Sequence, residues 1–191
     1  MKAVVFDVGE TLVDETGMWE RAADVAGVPR FTLMGVLGGL AARGEHHTTV
    51  WEILGVEHPA SNAGLEDLYA DALPCLRELR ARGMVTGAIG NTPAATEALL
   101  RDEVDVVGSS GRWGIEKPAP AFFDRIVAET GVAAELTAYV GDRVDNDVAP
   151  ALAAGMVAVH IRRGPWGYLH EPPREALRIR SLAELTEVLG V

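Results

Sequence analysis

Five short apolar runs divide the chain and predict buried strands. They are rich in β-branched residues and most end near Gly, Asp, Asn or Ser: AVVFDV, MVTGAIGN, VDVVGSS, AYVGD and MVAVHIRR. Segments of helical periodicity follow or separate the later runs, over 93–100, 118–130, 146–154 and 181–189. Strands that alternate with helices indicate βαβ units, so the pattern predicts an α/β fold with a parallel sheet.

The interval from 15 to 71 departs from this alternation. It contains no convincing strand but four helical patterns, at about 18–26, 30–43, 48–54 and 63–69. An interval of this length is too long for an ordinary crossover between two strands. We therefore predict a helical insert at 15–71 within a core domain formed by 1–14 and 72–191.

Composition and charge limit the possible partners. The chain has 191 residues, 48% of them hydrophobic, and a formal net charge of −11. This charge disfavours binding to nucleic acid or to an anionic membrane, although a local cationic pocket can still hold an anionic substrate. The single cysteine, Cys75, cannot form an internal disulfide, and the most apolar stretch, 31–42, is too short to span a bilayer. Asp7 interrupts any signal-peptide core, so we expect a cytoplasmic protein.

Polar residues gather where the predicted strands end. These candidates are Asp7 after the first strand, Asn91 and Thr92 after the second, Asp142 and Asp147 after the fourth, and Lys117 before the helix that leads to the fourth. In parallel α/β sheets the functional groups lie at the carboxyl ends of the strands. Carboxylates suit Mg²⁺, a lysine neutralises phosphoryl oxygens, and an aspartate can act as a nucleophile. The pattern predicts a site for a hard cation and a phosphate.

Four segments resemble the motifs of the haloacid dehalogenase-like (HAD) hydrolase superfamily: FDVGETL, MVTGAIGN, GIEKPAPAFFDRIVAETG and YVGDRVDNDVAPALAAGM. The resemblance extends over about 3–161. It implies a three-layer Rossmann-type core with a parallel sheet, and it implies that the insert is a small helical cap of the C1 type.

The resemblance also implies roles for single residues. Asp7 corresponds to the nucleophile, Lys117 to the lysine that holds the nucleophile and the phosphoryl group, and Asp142 and Asp147 to the acids beside the metal. The carbonyl of Gly9 corresponds to a main-chain metal ligand. The expected activity is Mg²⁺-dependent hydrolysis of the phosphomonoester of a small metabolite through an aspartyl-phosphate on Asp7, with Asn91 and Thr92 contacting the substrate.

Two positions depart from the family's phosphatases. Gly9 stands where they carry a second Asp, which serves as general acid and base, and losing such a group typically costs a factor of ~10² to 10⁴ in rate. Gly90 stands where a hydroxyl residue is expected, and Thr92 is an alternative source of that hydroxyl. Glu10 is interpreted as a solvent-facing residue that is also the nearest candidate for the missing acid; a group in the cap is the other.

Alternative interpretations follow from these departures. A 2-haloacid dehalogenase also lacks the second Asp, because a halide leaves without a proton, but Gly141-Asp142 favours phosphate. A catalytically weakened phosphoester-binding protein is the other alternative. His46 and His47 are expected in a loop between cap helices rather than at a metal. The sequence identifies neither the substrate nor the oligomeric state.

Overall fold

Strand β1 occupies a central position in a single parallel sheet. In the computed structural model, which describes residues 1–191, the strand order is β3-β2-β1-β4-β5-β6 and every neighbouring pair is parallel. The strands are β1 (Ala3–Phe6), β2 (Val85–Gly90), β3 (Val106–Ser109), β4 (Thr137–Gly141), β5 (Val157–Ile161) and β6 (Leu177–Ile179). The predicted α/β class is confirmed. The three-residue strand β6 was not predicted, because it is too short for a recognisable apolar run.

Helices cover both faces of this sheet, and three further helices form a separate group. The helices are α1 (Thr16–Ala26), α2 (Arg30–Arg43), α3 (Thr49–Leu54), α4 (Ala72–Ala81), α5 (Glu97–Leu100), α6 (Ser110–Trp113), α7 (Pro120–Thr130), α8 (Ala149–Ala153), α9 (Gly164–Leu169) and α10 (Leu185–Leu189). No single helix has the length and apolarity needed to cross a membrane. Helices α1 and α2 meet those criteria only as a pair, and that pair is bent by 120°.

Alternation along β1 divides the core into two layers. Val4 and Phe6 belong to a cluster of 20 buried residues on one face of the sheet, whereas Val5 belongs to a cluster of 11 on the other. Successive side chains of a strand point to opposite faces, so a strand that is apolar at every position is buried on both. β1 therefore places its carboxyl end in the middle of the sheet, between two hydrophobic layers.

Helices α1, α2 and α3 have a hydrophobic cluster of their own. Its seven buried members are Ala22, Ala23, Leu33, Leu37, Leu40, Val50 and Trp51. Helix α2 also packs on α9 of the core, where the ring Nε2 of His170 lies 2.7 Å from the carbonyl oxygen of Ala41. The segment thus combines an internal core with a contact to the sheet domain.

The helix predicted at 63–69 is wrong as an α-helix. Only a 3₁₀ turn forms there, at Leu65–Asp67. The Asp67 carboxylate accepts a hydrogen bond from the Gly64 amide at 2.8 Å and pairs with Arg21 at 2.7 Å. Leu68 is then extended and bridges to Val13, so tertiary pairing takes the backbone out of the helical path.

Two other predicted helices are shorter than expected. The segment 93–100 forms a 3₁₀ turn (Ala94–Thr96) followed by the single turn of α5. In the segment predicted at 146–154, the first residues belong to a π-helical turn, Val144–Val148, and α8 begins only after it. By contrast, the predicted serine cap at 181 forms, because the Ser181 hydroxyl accepts a hydrogen bond from the Ala183 amide at 3.2 Å.

Candidate active site

The carboxyl ends of β2, β1 and β4 meet at one edge of the sheet. Because these strands are neighbours, Asp7 and Asp142 follow adjacent strand ends, and the Asp7 amide donates to the Val140 carbonyl at 2.8 Å. A cavity of about 650 Å³ opens at this edge. Of the predicted site residues, it is lined by Asp7, Gly9, Asn91, Thr92, Lys117 and Asp142. The structure therefore gathers residues that are far apart in the chain.

Lys117 lies between two carboxylates. Its Nζ is 2.7 Å from Asp7 Oδ1 and 2.5 Å from Asp147 Oδ1, and the residue is only 4% exposed. Burial opposes the charged ammonium, but the attraction of Asp147 and Asp7 outweighs it and holds the pKa of Lys117 well above its usual value. The lysine is therefore a fixed positive charge beside Asp7.

Three carboxylates crowd together at this edge. Oxygen atoms of Asp7, Asp142 and Asp147 all lie within 4.8 Å of one another. Asp142 is 3% exposed, and no protein group donates a hydrogen bond to its carboxylate. Burial, reinforced by the charges of Asp147 and Asp7, raises the pKa of Asp142 well above its usual value. A divalent cation would offset this repulsion, and carboxylate oxygens are the donors that Mg²⁺ prefers.

Asp147 differs from the other two acids because both of its oxygens already have partners. Oδ1 accepts from Lys117, and Oδ2 accepts from the Arg143 amide at 2.9 Å. The π-helical turn places it there, since the amides of Asp147 and Val148 both donate to the Arg143 carbonyl. Asp147 is completely buried and does not line the cavity. Its position is beneath Lys117, as a support for the ammonium.

Asn91 holds the backbone of Lys117. Its Nδ2 donates to the Lys117 carbonyl at 3.0 Å, and its Oδ1 accepts from the Lys117 amide at 2.8 Å. Both polar atoms of the amide are thus used within the protein. Thr92 lies on the cavity wall beside it.

Gly90 occupies a place that leaves no room for a side chain. A Cβ at this position would collide with Oδ1 of Asp7 and lie 3.3 Å from the Val8 amide nitrogen. The hydroxyl residue expected here is incompatible with this placement of the Asp7 carboxylate. Gly90 therefore lets Asp7 lie against the end of β2.

Gly9 likewise leaves no room for a side chain, because the carboxylate of Glu15 lies against it. A Cβ at Gly9 would collide with Oε1 of Glu15 and lie 3.0 Å from its Cδ. Oε2 of Glu15 accepts a hydrogen bond from the indole Nε1 of Trp19 at 3.1 Å. Burial, together with the nearby charge of Glu10, raises the pKa of Glu15 to about 7. Sequence reasoning missed Glu15, which belongs to no motif; the gap at Gly9 was the only signal.

Glu10 does not face solvent, so that expectation is wrong. The Tyr69 hydroxyl donates to its Oε2 at 2.7 Å, and the Glu15 amide donates to its Oε1 at 3.1 Å. Its backbone lies in the left-handed region with φ of 51°, an uncommon conformation for a residue with a side chain. Glu10 thereby ties the loop after β1 to the chain on both sides of the helical segment.

Aromatic side chains form part of the cavity wall, and the charged guanidinium of Arg143 lies beside them, 5.0 Å from the centroid of the Trp166 ring. His46 and His47 lie between α2 and α3 as expected, and their rings stack with centroids 4.3 Å apart. His47 also contacts Trp19 and Trp166 edge-on, at 5.9 and 6.4 Å. Burial and the proximity of His46 lower the pKa of His47 to about 4, so it is uncharged at neutral pH.

Sequence comparison identifies the family. The sequence profile described as haloacid dehalogenase-like hydrolase matches residues 1–155. The chain belongs to this family. Its members are hydrolases, as the description states, and the resemblance in the four motifs is thereby confirmed.

Curated relatives with phosphatase names match parts of the chain. A glyceraldehyde 3-phosphate phosphatase from Methanocaldococcus jannaschii is 35% identical over 127 residues, which are 63% of this chain and 56% of that protein. A phosphoserine phosphatase from Thermus thermophilus is 36% identical over 103 residues, 51% of this chain and 41% of that protein. The chain thus spans about half of the length of the curated relatives it matches.

Solved structures match the fold over the whole chain. A HAD phosphatase from Thermococcus onnurineus superposes with a TM-score of 0.68 at 24% identity, covering 100% of this chain and 98% of that one. An L-2-haloacid dehalogenase from Xanthobacter autotrophicus gives 0.70 at 17%, with coverage of 100% and 98%. The fold is therefore common to proteins with both names, and the choice between the two chemistries depends on the residues of the site.

Proposed function

We propose that this chain hydrolyses the phosphomonoester of a small metabolite through an aspartyl-phosphate on Asp7. The observation that carries the proposal is the group of charges around Lys117. The ammonium lies between Asp7 and Asp147, and the Asp142 carboxylate stands beside them without a hydrogen-bond donor. A halide-releasing enzyme has no need of a cation site next to its nucleophile. The phosphatase names of relatives about 35% identical support the same conclusion.

The acidic group suits Mg²⁺, which the resemblance implies. Asp7 and Asp142 line the cavity and would supply carboxylate oxygens, with the carbonyl of Gly9 beside them. Asp147 would act mainly by holding Lys117, because both of its oxygens are engaged. When bound, the cation would reduce the repulsion between a phosphate dianion and these carboxylates.

The protein's own residues account for the attack on phosphorus. Lys117 fixes Oδ1 of Asp7, whereas Oδ2 accepts no hydrogen bond from the protein and is the oxygen available to attack. The Asp7 oxygen forms a bond to phosphorus as the bond to the ester oxygen breaks, and Lys117 stabilises charge on the phosphoryl oxygens. Water then attacks phosphorus, which releases inorganic phosphate and restores the Asp7 carboxylate.

The segment 15–71 is proposed to act as a cap that selects the substrate. Its internal hydrophobic cluster supports this role, as do the side chains it contributes to the cavity wall, among them Trp19, Met34 and His47. Closure of such a segment would exclude water from the phosphoryl centre. A cytoplasmic location, absence of nucleic-acid partners and absence of membrane binding remain predictions.

The test is phosphate release from a panel of phosphate esters by the purified chain, with and without Mg²⁺. Turnover of at least one ester with Mg²⁺, and its loss in Asp7→Asn with the melting temperature retained, would support the proposal. Chloride release from 2-chloropropionate without metal would instead establish the dehalogenase alternative. Binding of phosphate esters without turnover would establish the weakened binder.

A further inference from the structure

Glu15 occupies the space that an acidic side chain at position 9 would need. We propose that Glu15 is the acid–base group of this site, which protonates the leaving group and then deprotonates the attacking water. The inference rests on the proposed phosphomonoester hydrolysis. It assigns to a residue outside every motif the proton transfers for which Gly9 has no side chain.

The first observation is the overlap between the two positions. A Cβ built on Gly9 would collide with Oε1 of Glu15, whose carboxyl carbon would be 3.0 Å away. Gly9 follows Asp7 by two residues on the same loop, so the Glu15 carboxyl reaches this loop from the beginning of α1. A side chain at position 9 and Glu15 in its present place exclude each other. The glycine at position 9 is therefore what makes room for the Glu15 carboxyl.

The second observation is how Glu15 is held. Trp19 Nε1 donates to Oε2 at 3.1 Å, whereas Oε1 accepts no hydrogen bond from the protein. The Glu15 amide is also fixed, since it donates to Oε1 of Glu10 at 3.1 Å. Glu15 lines the same cavity as Asp7. One carboxyl oxygen is thus anchored, and the other lies against Gly9, two residues after the nucleophile, without a hydrogen-bond partner in the protein.

Neighbouring acids differ from Glu15 in their contacts, because the three atoms nearest to a Cβ on Gly9 all belong to Glu15. Both oxygens of Glu10 accept hydrogen bonds, one from the Tyr69 hydroxyl and one from the Glu15 amide. Asp14 Oδ1 accepts from the Thr16 amide at 2.9 Å, in the turn that starts α1. Glu15 is the carboxylate in this loop that combines a free oxygen with contact at Gly9.

The proton transfers balance over one cycle. As Asp7 attacks phosphorus, the bond to the ester oxygen breaks and the Glu15 carboxyl proton passes to that oxygen, which leaves as an alcohol. Glu15, now a carboxylate, takes a proton from the water that attacks phosphorus of the aspartyl-phosphate. The bond between phosphorus and Asp7 breaks, inorganic phosphate leaves, and Glu15 is protonated again.

Glu15→Gln tests this assignment by separating the two steps. With glycerol phosphate the leaving alkoxide needs a proton, so the first step should slow by about 10²- to 10⁴-fold and no phosphoenzyme should accumulate. With p-nitrophenyl phosphate the leaving group departs as a stable anion. A first turnover of nitrophenol should persist, followed by slow release of phosphate and an accumulated phosphoenzyme. Glu52→Gln, an exposed carboxylate on α3, is the matched control and should leave both substrates unaffected.

The exchange variant Gly9→Asp/Glu15→Ala decides the case if Glu15→Gln is poorly folded. Removal of the Glu15 carboxyl makes room for Asp at position 9, so glycerol phosphate turnover should exceed that of Glu15→Ala. The assignment would be overturned if Glu15→Gln slowed both esters equally without a nitrophenol burst, or if it slowed neither ester. It would also be overturned if the double variant hydrolysed glycerol phosphate no faster than Glu15→Ala. Failure of the proposed function is a different result: a wild type that turns over neither ester.

Discussion

Replacing Lys117 by Met is expected to destabilise the protein strongly, because the substitution leaves Asp7 and Asp147 without their common partner. Nζ is within 2.7 Å of one carboxylate and 2.5 Å of the other, and the residue is 4% exposed. Breaking a buried ion pair by removing one partner costs about 3–5 kcal/mol. In a domain of this size 1 kcal/mol shifts the melting temperature by about 2–4 °C, so a fall of roughly 6–20 °C is expected.

The effect should depend on pH in a stated direction. Burial, reinforced by the charge of Asp7, raises the pKa of Asp147 to about 6 although the Lys117 ammonium lowers it, and removing the ammonium should raise it further. A carboxyl with a raised folded-state pKa contributes stability below its unfolded pKa and loses it as the pH rises through the folded value. The loss in Lys117→Met should therefore be larger at pH 8 than at pH 5.

Thermal unfolding in EDTA measures both quantities, and the chain supplies its own control. Lys2→Met removes an exposed lysine at the other end of β1 and should change the melting temperature little. Equal melting temperatures for the two variants at pH 8 would refute the electrostatic description of the site. Addition of Mg²⁺ should recover part of the stability of Lys117→Met, because a cation replaces some of the lost positive charge.

Three further outcomes are expected. Mg²⁺ should raise the melting temperature of the wild type, because binding to the folded state adds about 2.7 kcal/mol to the free energy of unfolding at 100 times the dissociation constant. Asp142→Asn should remove most of this effect, and no shift in the wild type would contradict the metal site. Gly90→Ala should cost about 1–3 kcal/mol in denaturant unfolding, because its Cβ meets Asp7, whereas Gly38→Ala in α2, where a Cβ meets nothing, should stabilise by about 0.5–1 kcal/mol. In EDTA the wild type should lose stability between pH 5 and pH 8, as the raised pKa values of Asp147 and Glu15 are crossed, and Glu15→Gln should reduce that slope in urea titrations.

The parts of this site that the sequence predicts are those that depend on strand ends. Asp7 and Asp142 each follow a buried run, and the parallel order of the strands brings such positions to one edge. Lys117 is predictable only through its motif, because a lysine before a proline is by itself an ordinary loop residue. Each of these residues can be recognised from the sequence immediately around it, although the sheet is what brings them close together.

Other parts depend on tertiary contacts that no local pattern contains. Glu15 acquires its position from the turn between β1 and α1, and the sequence shows only a glycine where a side chain was expected. The α-helix predicted at 63–69 does not form, because the Asp67 carboxylate pairs with Arg21 and accepts a hydrogen bond from the Gly64 amide. Both contacts exist only in the folded helical segment. The amide of Asn91 is used by the Lys117 backbone, which depends on how two loops meet.

Detection of a phosphoryl group on Asp7 tests the central claim most directly. The purified chain is mixed with p-nitrophenyl phosphate and Mg²⁺, quenched in acid within the first turnover, and mapped by peptide mass spectrometry. We expect one phosphoryl group, located on Asp7, present in the wild type, increased in Glu15→Gln and absent in Asp7→Asn. Release of phosphate with no phosphoryl group on Asp7 at any quench time would contradict it.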